Sequence, residues 1–329
     1  MEIEGEKYDL SYETLWKAII RPPRDIYTPD DLIDNIFTFK KKTYYRKDYD
    51  LINKQGLTLK CSFIEPDDDS RPYEIMPVVI YLHGNSSSRL EGIKMVPALL
   101  KHNINLFVFD FSGSGISEGD YISLGMNEKE DLSVIVDFVS KIPGVGNIGL
   151  WGRSMGAATA MLYCKTDKRI KAAVFDSPFT EFRLLAKQLC SNYKSIPFWL
   201  VDFAFLFIKK TIISKNGLDI DKLVPIECAK ETKTPGFFVH AMNDELIPLE
   251  HSLKLYEEYG GEKSLNVCEG GHNTKRKKHI IDKIGKFYTK YLYPGEEFKG
   301  EIQDDEQKSE KESIWDEANY NNEDNNNSQ

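Results

Sequence analysis

Gly152-Arg153-Ser154-Met155-Gly156 has the types and spacing of an activated hydroxyl nucleophile. An apolar run, Ile148–Trp151, precedes it, and the helix-forming Ala157-Ala158-Thr159-Ala160-Met161-Leu162 follows. In a strand–turn–helix setting, G-x-S-x-G forces the serine into a strained turn, and Gly152 and Gly156 remove the side chains that would clash there. Ser154 Oγ would then project from the carboxyl edge of a sheet, above a helix N-terminus whose N–H groups and dipole favour negative charge. A serine hydroxyl is a weak nucleophile near neutrality and needs a base. Of the six histidines, His102, His251 and His279 fall in predicted helices, His240 ends a strand as a buried structural residue, and His83 opens His83-Gly84-Asn85. His272 lies in Glu269-Gly270-Gly271-His272-Asn273, a glycine-flexed loop directly after the last strand, and is the candidate base.

The base needs a carboxylate to fix its tautomer. Asp244, in Asn243-Asp244-Glu245-Leu246-Ile247-Pro248, follows a strand and gives the order Ser…Asp…His. Asp176 also ends a strand and is the main competitor, with Glu245 a weaker one. A developing oxyanion requires donors. The Met155 N–H is one candidate, and the Asn85 N–H, in His83-Gly84-Asn85-Ser86-Ser87-Ser88, is the other. The bland alternative for that loop is a cap for the helix starting at Leu90.

These residues must be positioned by a regular frame. Two predicted strands, Thr43–Ile52 and Leu57–Glu65, form a hairpin around Asn53–Gly56. Strand and helix patterns then alternate: Val78–Leu82, Leu90–His102, Leu106–Phe109, Glu128–Lys141, Ile148–Trp151, Ser154–Cys164 and Ala172–Phe175. Such alternation predicts a mostly parallel sheet covered on both faces. It pauses between Ser177 and Thr234, which reads as helices at Glu181–Asn192 and Phe198–Ile213. It resumes with Phe237–His240, Leu249–Tyr259, Leu265–Cys268 and Thr274–Tyr291, so residues 177–234 are an insertion in one sheet. Residues 1–42, with a helical pattern at Tyr12–Ile20, read as an N-terminal extension.

Composition narrows the function classes. At 41% hydrophobic and 29% charged residues the chain is globular. Glu296 to the end holds 12 acidic and 3 basic residues, which is the whole net charge of −9 and leaves 40 of each sign in the remainder. That balance argues against a nucleic-acid partner, and the Asn- and acid-rich tail, 296–329, reads as disordered. Five scattered cysteines without a C-x-x-C suggest neither a disulfide framework nor a zinc site, so no metal is expected. The spacing fits a reducing, cytoplasmic compartment. The longest apolar run, Ile196–Ile208, is 13 residues and includes Asp202, whereas a membrane span needs about 20.

The elbow, the His83-Gly84 loop and Asp110-Phe111-Ser112-Gly113-Ser114-Gly115-Ile116-Ser117 resemble the α/β-hydrolase superfamily over about residues 43–292. They are similar to its serine-aminopeptidase-like and monoglyceride-lipase-like branch. The Asp110 segment could be taken for a phosphate cradle, but no Gly-Lys-Ser/Thr follows it. The resemblance implies an α/β-hydrolase fold: a mostly parallel eight-stranded sheet with helices on both faces, a helical cap after the sixth strand, and no cofactor. The core would be 43–176 and 235–292, with 177–234 as the cap. Some depalmitoylases of this superfamily carry an N-terminal cysteine cluster, and here no cysteine precedes Cys61.

The expectation is a serine hydrolase that cleaves carboxylic esters or thioesters through an acyl-enzyme, acting on a small-molecule or acyl substrate. A serine aminopeptidase-like peptidase and a non-catalytic interaction protein on the same fold are the alternatives. Within the insertion, Ile196–Ile208 is apolar nearly all round if helical. It reads as a packed cap helix, or as one in which Phe198, Trp199, Phe203 and Phe207 line an acyl pocket or make peripheral membrane contact, with Lys209-Lys210 beside them. The basic run Lys275–Lys278 reads as a solvated helix face.

Overall fold

The computed structural model describes residues 12–191 and 198–293. Nine strands form one sheet: β1 (Ile36–Phe39), β2 (Lys42–Ile52), β3 (Thr58–Pro66), β4 (Met76–Leu82), β5 (Asn105–Phe109), β6 (Val145–Arg153), β7 (Ile170–Asp176), β8 (Gly236–Ala241) and β9 (Lys263–Cys268). Their order is β1-β2-β3-β5-β4-β6-β7-β8-β9. The first three strands and the β3–β5 pair are antiparallel, and every pairing from β5 through β9 is parallel. The sequence expectation of eight strands is one short. β1 lies inside the segment taken as an extension and turns into β2 through Lys40 and Lys41, at φ 46° and 62°. A two-residue hairpin turn with both residues left-handed usually carries Asn-Gly; Lys-Lys gives no such signal for the strand before it.

The helices are α1 (Tyr12–Ile20), α2 (Arg89–Ile93), α3 (Val96–Leu100), α4 (Glu128–Val139), α5 (Met155–Cys164), α6 (Phe182–Ser191), α7 (Phe198–Asn216), α8 (Pro225–Glu231), α9 (Leu249–Glu258) and α10 (Lys278–Leu292). Two packed groups cover the sheet: α4, α5, α8 and α9 touch in series, and α3 touches α10. All seven residues of β4 are buried, as a strand covered on both faces requires. One predicted helix, Leu90–His102, is instead two short ones. Pro97, in the first turn of α3, has no N–H to continue the ladder from α2.

Between β7 and β8 lie α6, α7 and α8, in the segment the sequence predicts as the insertion; because β1 adds a strand, this is after the seventh strand and not the sixth. Helix α1 packs against α7: the Tyr12 hydroxyl donates to Phe207 O at 2.9 Å, and Lys215 Nζ sits 4.8 Å from the Trp16 ring centre. The chain after α1 is tied to the core at Asp110. That buried carboxylate accepts from the Tyr27 hydroxyl at 2.6 Å, from Arg89 N–H at 2.7 Å and from Ile116 N–H at 3.0 Å. The Asp110 loop is therefore a structural knot. The tail expected to be disordered, 296–329, lies outside the described residues.

Candidate active site

Strand register brings the candidate residues to one edge. Arg153 of β6 is opposite Asp176 of β7, Asp176 is opposite Val239 of β8, and Ala241 of β8 is opposite Cys268 of β9. Ser154, Asp244 and His272 follow the carboxyl ends of β6, β8 and β9, and His83 follows β4. Parallel strands place all these loops on the same side of the sheet, and Arg153, next to Ser154, bonds the carbonyl of His272, 119 positions away in the chain.

Ser154 has φ 52° and ψ −114°, a left-handed conformation that an L-residue holds only under constraint. The constraint is visible on both sides. Its N–H donates to Asp176 O at 2.8 Å, and its carbonyl accepts from Ala158 N–H at 3.0 Å. A Cβ at Gly152 would be driven into the Gly156 carbonyl, and one at Gly156 into the Leu82 carbonyl. Both elbow glycines therefore allow β6, α5 and the end of β4 to approach closely. Met155 is the first residue of α5, and first-turn N–H groups have no partner inside a helix.

His272 is buried at 5% exposure, with Nδ1 2.7 Å from Asp244 Oδ2. A carboxylate only accepts, so Nδ1 donates to it, and in the neutral imidazole Nε2 is then the acceptor. Asp244 is well supplied: Oδ1 accepts from Leu246 N–H at 3.0 Å and Ile247 N–H at 2.8 Å, and His240 Nε2 lies 3.4 Å from Oδ2. Burial opposes the charge, but these donors outweigh it and hold the Asp244 carboxyl well below the usual carboxylate range. His240 is fully buried, bonded to Ile247 O at 2.7 Å and Ser252 Oγ at 2.6 Å, as expected for a structural histidine.

Asp176, the competing acid, is occupied elsewhere. It pairs with Arg276 through Nη2 at 2.7 Å and Nε at 3.1 Å, with both side chains buried. This corrects the reading of Lys275–Lys278 as a solvated helix face. The first three residues of the run precede α10, which begins at Lys278, and Arg276 turns inward because a buried carboxylate waits at the end of β7. Glu245 is exposed and accepts the His272 N–H at 3.2 Å, so it supports the backbone of that loop instead of the imidazole.

The loop after β4 is pinned by His83, whose Nε2 accepts from Phe111 N–H at 3.1 Å and whose Nδ1 donates to Gly84 O at 2.8 Å. Asn85 follows, half-buried, with its side chain turned back to accept Ser86 N–H at 2.9 Å. Two residues that sequence reasoning missed stand beside this loop. Glu91 accepts from Tyr81 Oη at 2.8 Å, Gly84 N–H at 3.1 Å and Arg153 Nη1 at 3.1 Å. Arg153 Nη2 also donates to His272 O at 3.3 Å and Asn273 Oδ1 at 2.6 Å. Ser88-x-x-Glu91 has the spacing of a capping box, yet Glu91 reaches Gly84, outside the helix. The candidate pocket residues Phe198, Trp199 and Phe203 lie at the amino end of α7, and their side chains fall outside the described residues. Phe207 is 47% exposed, beneath Lys210 Nζ at 5.9 Å. Among the described residues no cluster of metal-ligating side chains occurs, and no helix is long and apolar enough to cross a membrane.

Comparison with known proteins agrees with the fold. Residues 77–196 match the α/β-hydrolase-fold family, and residues 138–314 match the PhoPQ-activated pathogenicity-related protein family. The chain is 30% identical over 227 residues to the uncharacterized protein YqkD of Bacillus subtilis, spanning 65% of this chain and 73% of that one. It is 27% identical over 196 residues to the zebrafish (Danio rerio) lysophosphatidylserine lipase ABHD12, spanning 58% of this chain and 49% of that protein. The chain thus spans about half the length of that lipase. The esterase Pf2001 of Pyrococcus furiosus has a similar fold, with a TM-score of 0.62 and 24% identity, covering 83% of this chain and 100% of the other.

Proposed function

Because the chain belongs to the α/β-hydrolase superfamily, we propose that it is a serine hydrolase that cleaves carboxylic esters or thioesters by way of an acyl-enzyme. The observation that carries this reading is the His272–Asp244 hydrogen bond of 2.7 Å on the same sheet edge as the strained Ser154. Ser154 Oγ attacks the substrate carbonyl while His272 Nε2 takes its proton. Asp244 holds Nδ1–H and stabilises the imidazolium that results. The N–H groups of Met155 and Asn85 receive the tetrahedral oxyanion. Collapse breaks the bond to the leaving oxygen or sulfur, which departs with the proton from His272. Water attacks the acyl-Ser154 ester, its proton passing to His272; collapse breaks the bond to Ser154 Oγ, which takes that proton back from His272, and the carboxylic acid leaves.

A lipid-like acyl group is the favoured substrate class. The related lysophosphatidylserine lipase supports it. So does the outer face of α7, where Leu206, Phe207 and Ile213 are exposed next to Lys210, a combination that suits peripheral contact with a membrane. The test has two parts. A fluorophosphonate probe should label wild type but not Ser154→Ala or His272→Ala; undiminished labelling of Ser154→Ala would refute the nucleophile. Turnover of p-nitrophenyl esters of rising acyl length should exceed that of an aminoacyl anilide. A preference for the anilide would move the assignment to a peptidase.

A further inference from the structure

Three separate loops must be held in register for the proposed chemistry: the Ser154 elbow, the Asn85 loop and the His272 loop. They come from distant parts of the chain, and Asn85 follows a glycine and precedes the left-handed Ser86 at φ 59°. Such a backbone has no reason of its own to aim one N–H at a fixed point. Glu91 supplies the reason. One carboxylate gathers the Gly84 N–H at 3.1 Å and the Ser87 hydroxyl, which lie on either side of Asn85. It also takes the Tyr81 hydroxyl from β4 at 2.8 Å, which anchors it to the sheet.

Arg153 extends the same network. Its guanidinium bonds Glu91 through Nη1 at 3.1 Å. Through Nη2 it bonds the His272 carbonyl at 3.3 Å and Asn273 Oδ1 at 2.6 Å. Arg153 is the chain neighbour of Ser154, so its backbone is part of the elbow. One guanidinium therefore links the elbow to both other loops. Its planar fork makes this possible: two nitrogens donate in different directions from one rigid plane.

We propose that Glu91 and Arg153 are positioning residues that clamp the Asn85 oxyanion loop and the His272 loop onto the Ser154 elbow. This rests on the hydrolase reading above. Neither residue touches the reacting atoms; both act through the groups they hold. The clamp fixes geometry that matters in the transition state and leaves the apolar binding surface alone. Its loss therefore lowers kcat and leaves KM unchanged, equally for short and long acyl chains.

The experiment compares wild type, Glu91→Gln and Arg153→Lys on the p-nitrophenyl ester series. Binding of a trifluoromethyl ketone, which forms a serine-bound oxyanion, is measured in parallel. Gln keeps the shape of Glu91 but turns an amide toward groups that are themselves donors. Lys keeps the charge of Arg153, but its single nitrogen cannot serve Glu91 and the histidine loop together. Loss of one oxyanion donor, or a displacement of about 1 Å, costs about 100-fold; a loosened donor is expected to cost about 10- to 100-fold in kcat. Ketone affinity should fall by the same factor as kcat/KM, with KM constant and the melting temperature well above that of the assay. Retention of kcat and ketone affinity in both variants would overturn the clamp, as would a loss confined to KM. Should Glu91→Gln fail to fold, Arg153→Lys decides alone, since that side chain is 22% exposed at the site. If wild type itself is not labelled at Ser154 by the fluorophosphonate, the hydrolase reading falls, and the clamp with it.

Discussion

Replacing Asp244 by Asn tests the charge arrangement with almost no change of shape. In the native site Asp244 Oδ1 takes two backbone N–H groups, at 3.0 and 2.8 Å, and Oδ2 faces His272 Nδ1 at 2.7 Å. The two backbone donors fix the orientation of an asparagine: its oxygen must replace Oδ1, so its amide nitrogen must face His272. Nδ1 then becomes an acceptor, the proton moves to Nε2, and the imidazole can no longer take a proton from Ser154. A wrong tautomer of this kind costs about 10⁴ in kcat, or about 5.4 kcal/mol at 1.36 kcal/mol per factor of ten. Asp176→Asn has no such route to the imidazole. It strips the charge from a buried partner of Arg276, which costs about 3–5 kcal/mol of stability, and leaves the His272–Asp244 bond intact. The assay is kcat on a short p-nitrophenyl ester, measured below the unfolding transition of each variant, with urea midpoints in parallel. Asp244→Asn should be folded and nearly inactive, while Asp176→Asn should be unstable but competent. Asp244→Asn with more than about a tenth of wild-type turnover, against the 10⁴ loss expected, would refute the assignment of the acid. So would a collapse confined to Asp176→Asn.

Three further outcomes follow from the geometry. Gly156→Ala would drive its methyl into the Leu82 carbonyl; near-UV circular dichroism and fluorophosphonate labelling should both be lost, and a native, labelled variant would contradict the packing. Tyr27→Phe removes a buried hydroxyl shared by Asp110 and Arg89, at 2.6 Å from each; urea unfolding should show a loss of about 1–3 kcal/mol with unchanged turnover. Stability should also fall on acidification. Burial pushes the His251 imidazole down from 6.5 to about 4, and Nδ1 already accepts from Thr180. Below pH 6.5 the unfolded chain binds a proton that the folded one refuses, so stability drops until about pH 4, by about 3 kcal/mol for this group. His251→Asn should flatten the urea midpoint against pH over that interval, and parallel curves would reject the assignment.

What the sequence disclosed follows the range of the forces involved. Strands buried on both faces, such as Val78–Leu82 within β4, announce themselves because an unbroken apolar run has few other uses. Helix α1 ends where its spacing predicts, because Arg21-Pro22-Pro23 cannot continue it. The elbow is equally legible, since glycines required by steric approach must flank the serine closely in the chain. β1 escaped because its turn is made by two lysines held in a conformation they do not favour. The break between α2 and α3 was open to inspection in Pro97, but the apolar pattern on both sides hid it.

Long-range polar pairing was the blind spot, and the reason is physical. Asp176 and Arg276 are 100 residues apart, and Glu91 and Arg153 are 62 apart. Nothing local distinguishes an arginine in a basic run from one that will turn inward. The decision is made by the fold, which leaves a carboxylate at the end of a central strand where charge is costly without a partner. The same argument separates Asp176 from Asp244, which look alike in sequence because each ends or follows a strand. At a parallel-sheet edge each carboxylate must find a cation or a set of donors. Asp176, at the end of β7, finds Arg276; Asp244, three residues beyond β8, finds two backbone N–H groups and His272. A guanidinium does not exhaust the roughly four lone-pair sites of a carboxylate; what separates the two acids is that His272 Nδ1 lies 2.7 Å from Asp244 Oδ2, while Asp176 faces Arg276. The proposed assignment of the acid thus rests on which partner reaches which strand end: Arg276 pairs with Asp176, and His272 with Asp244.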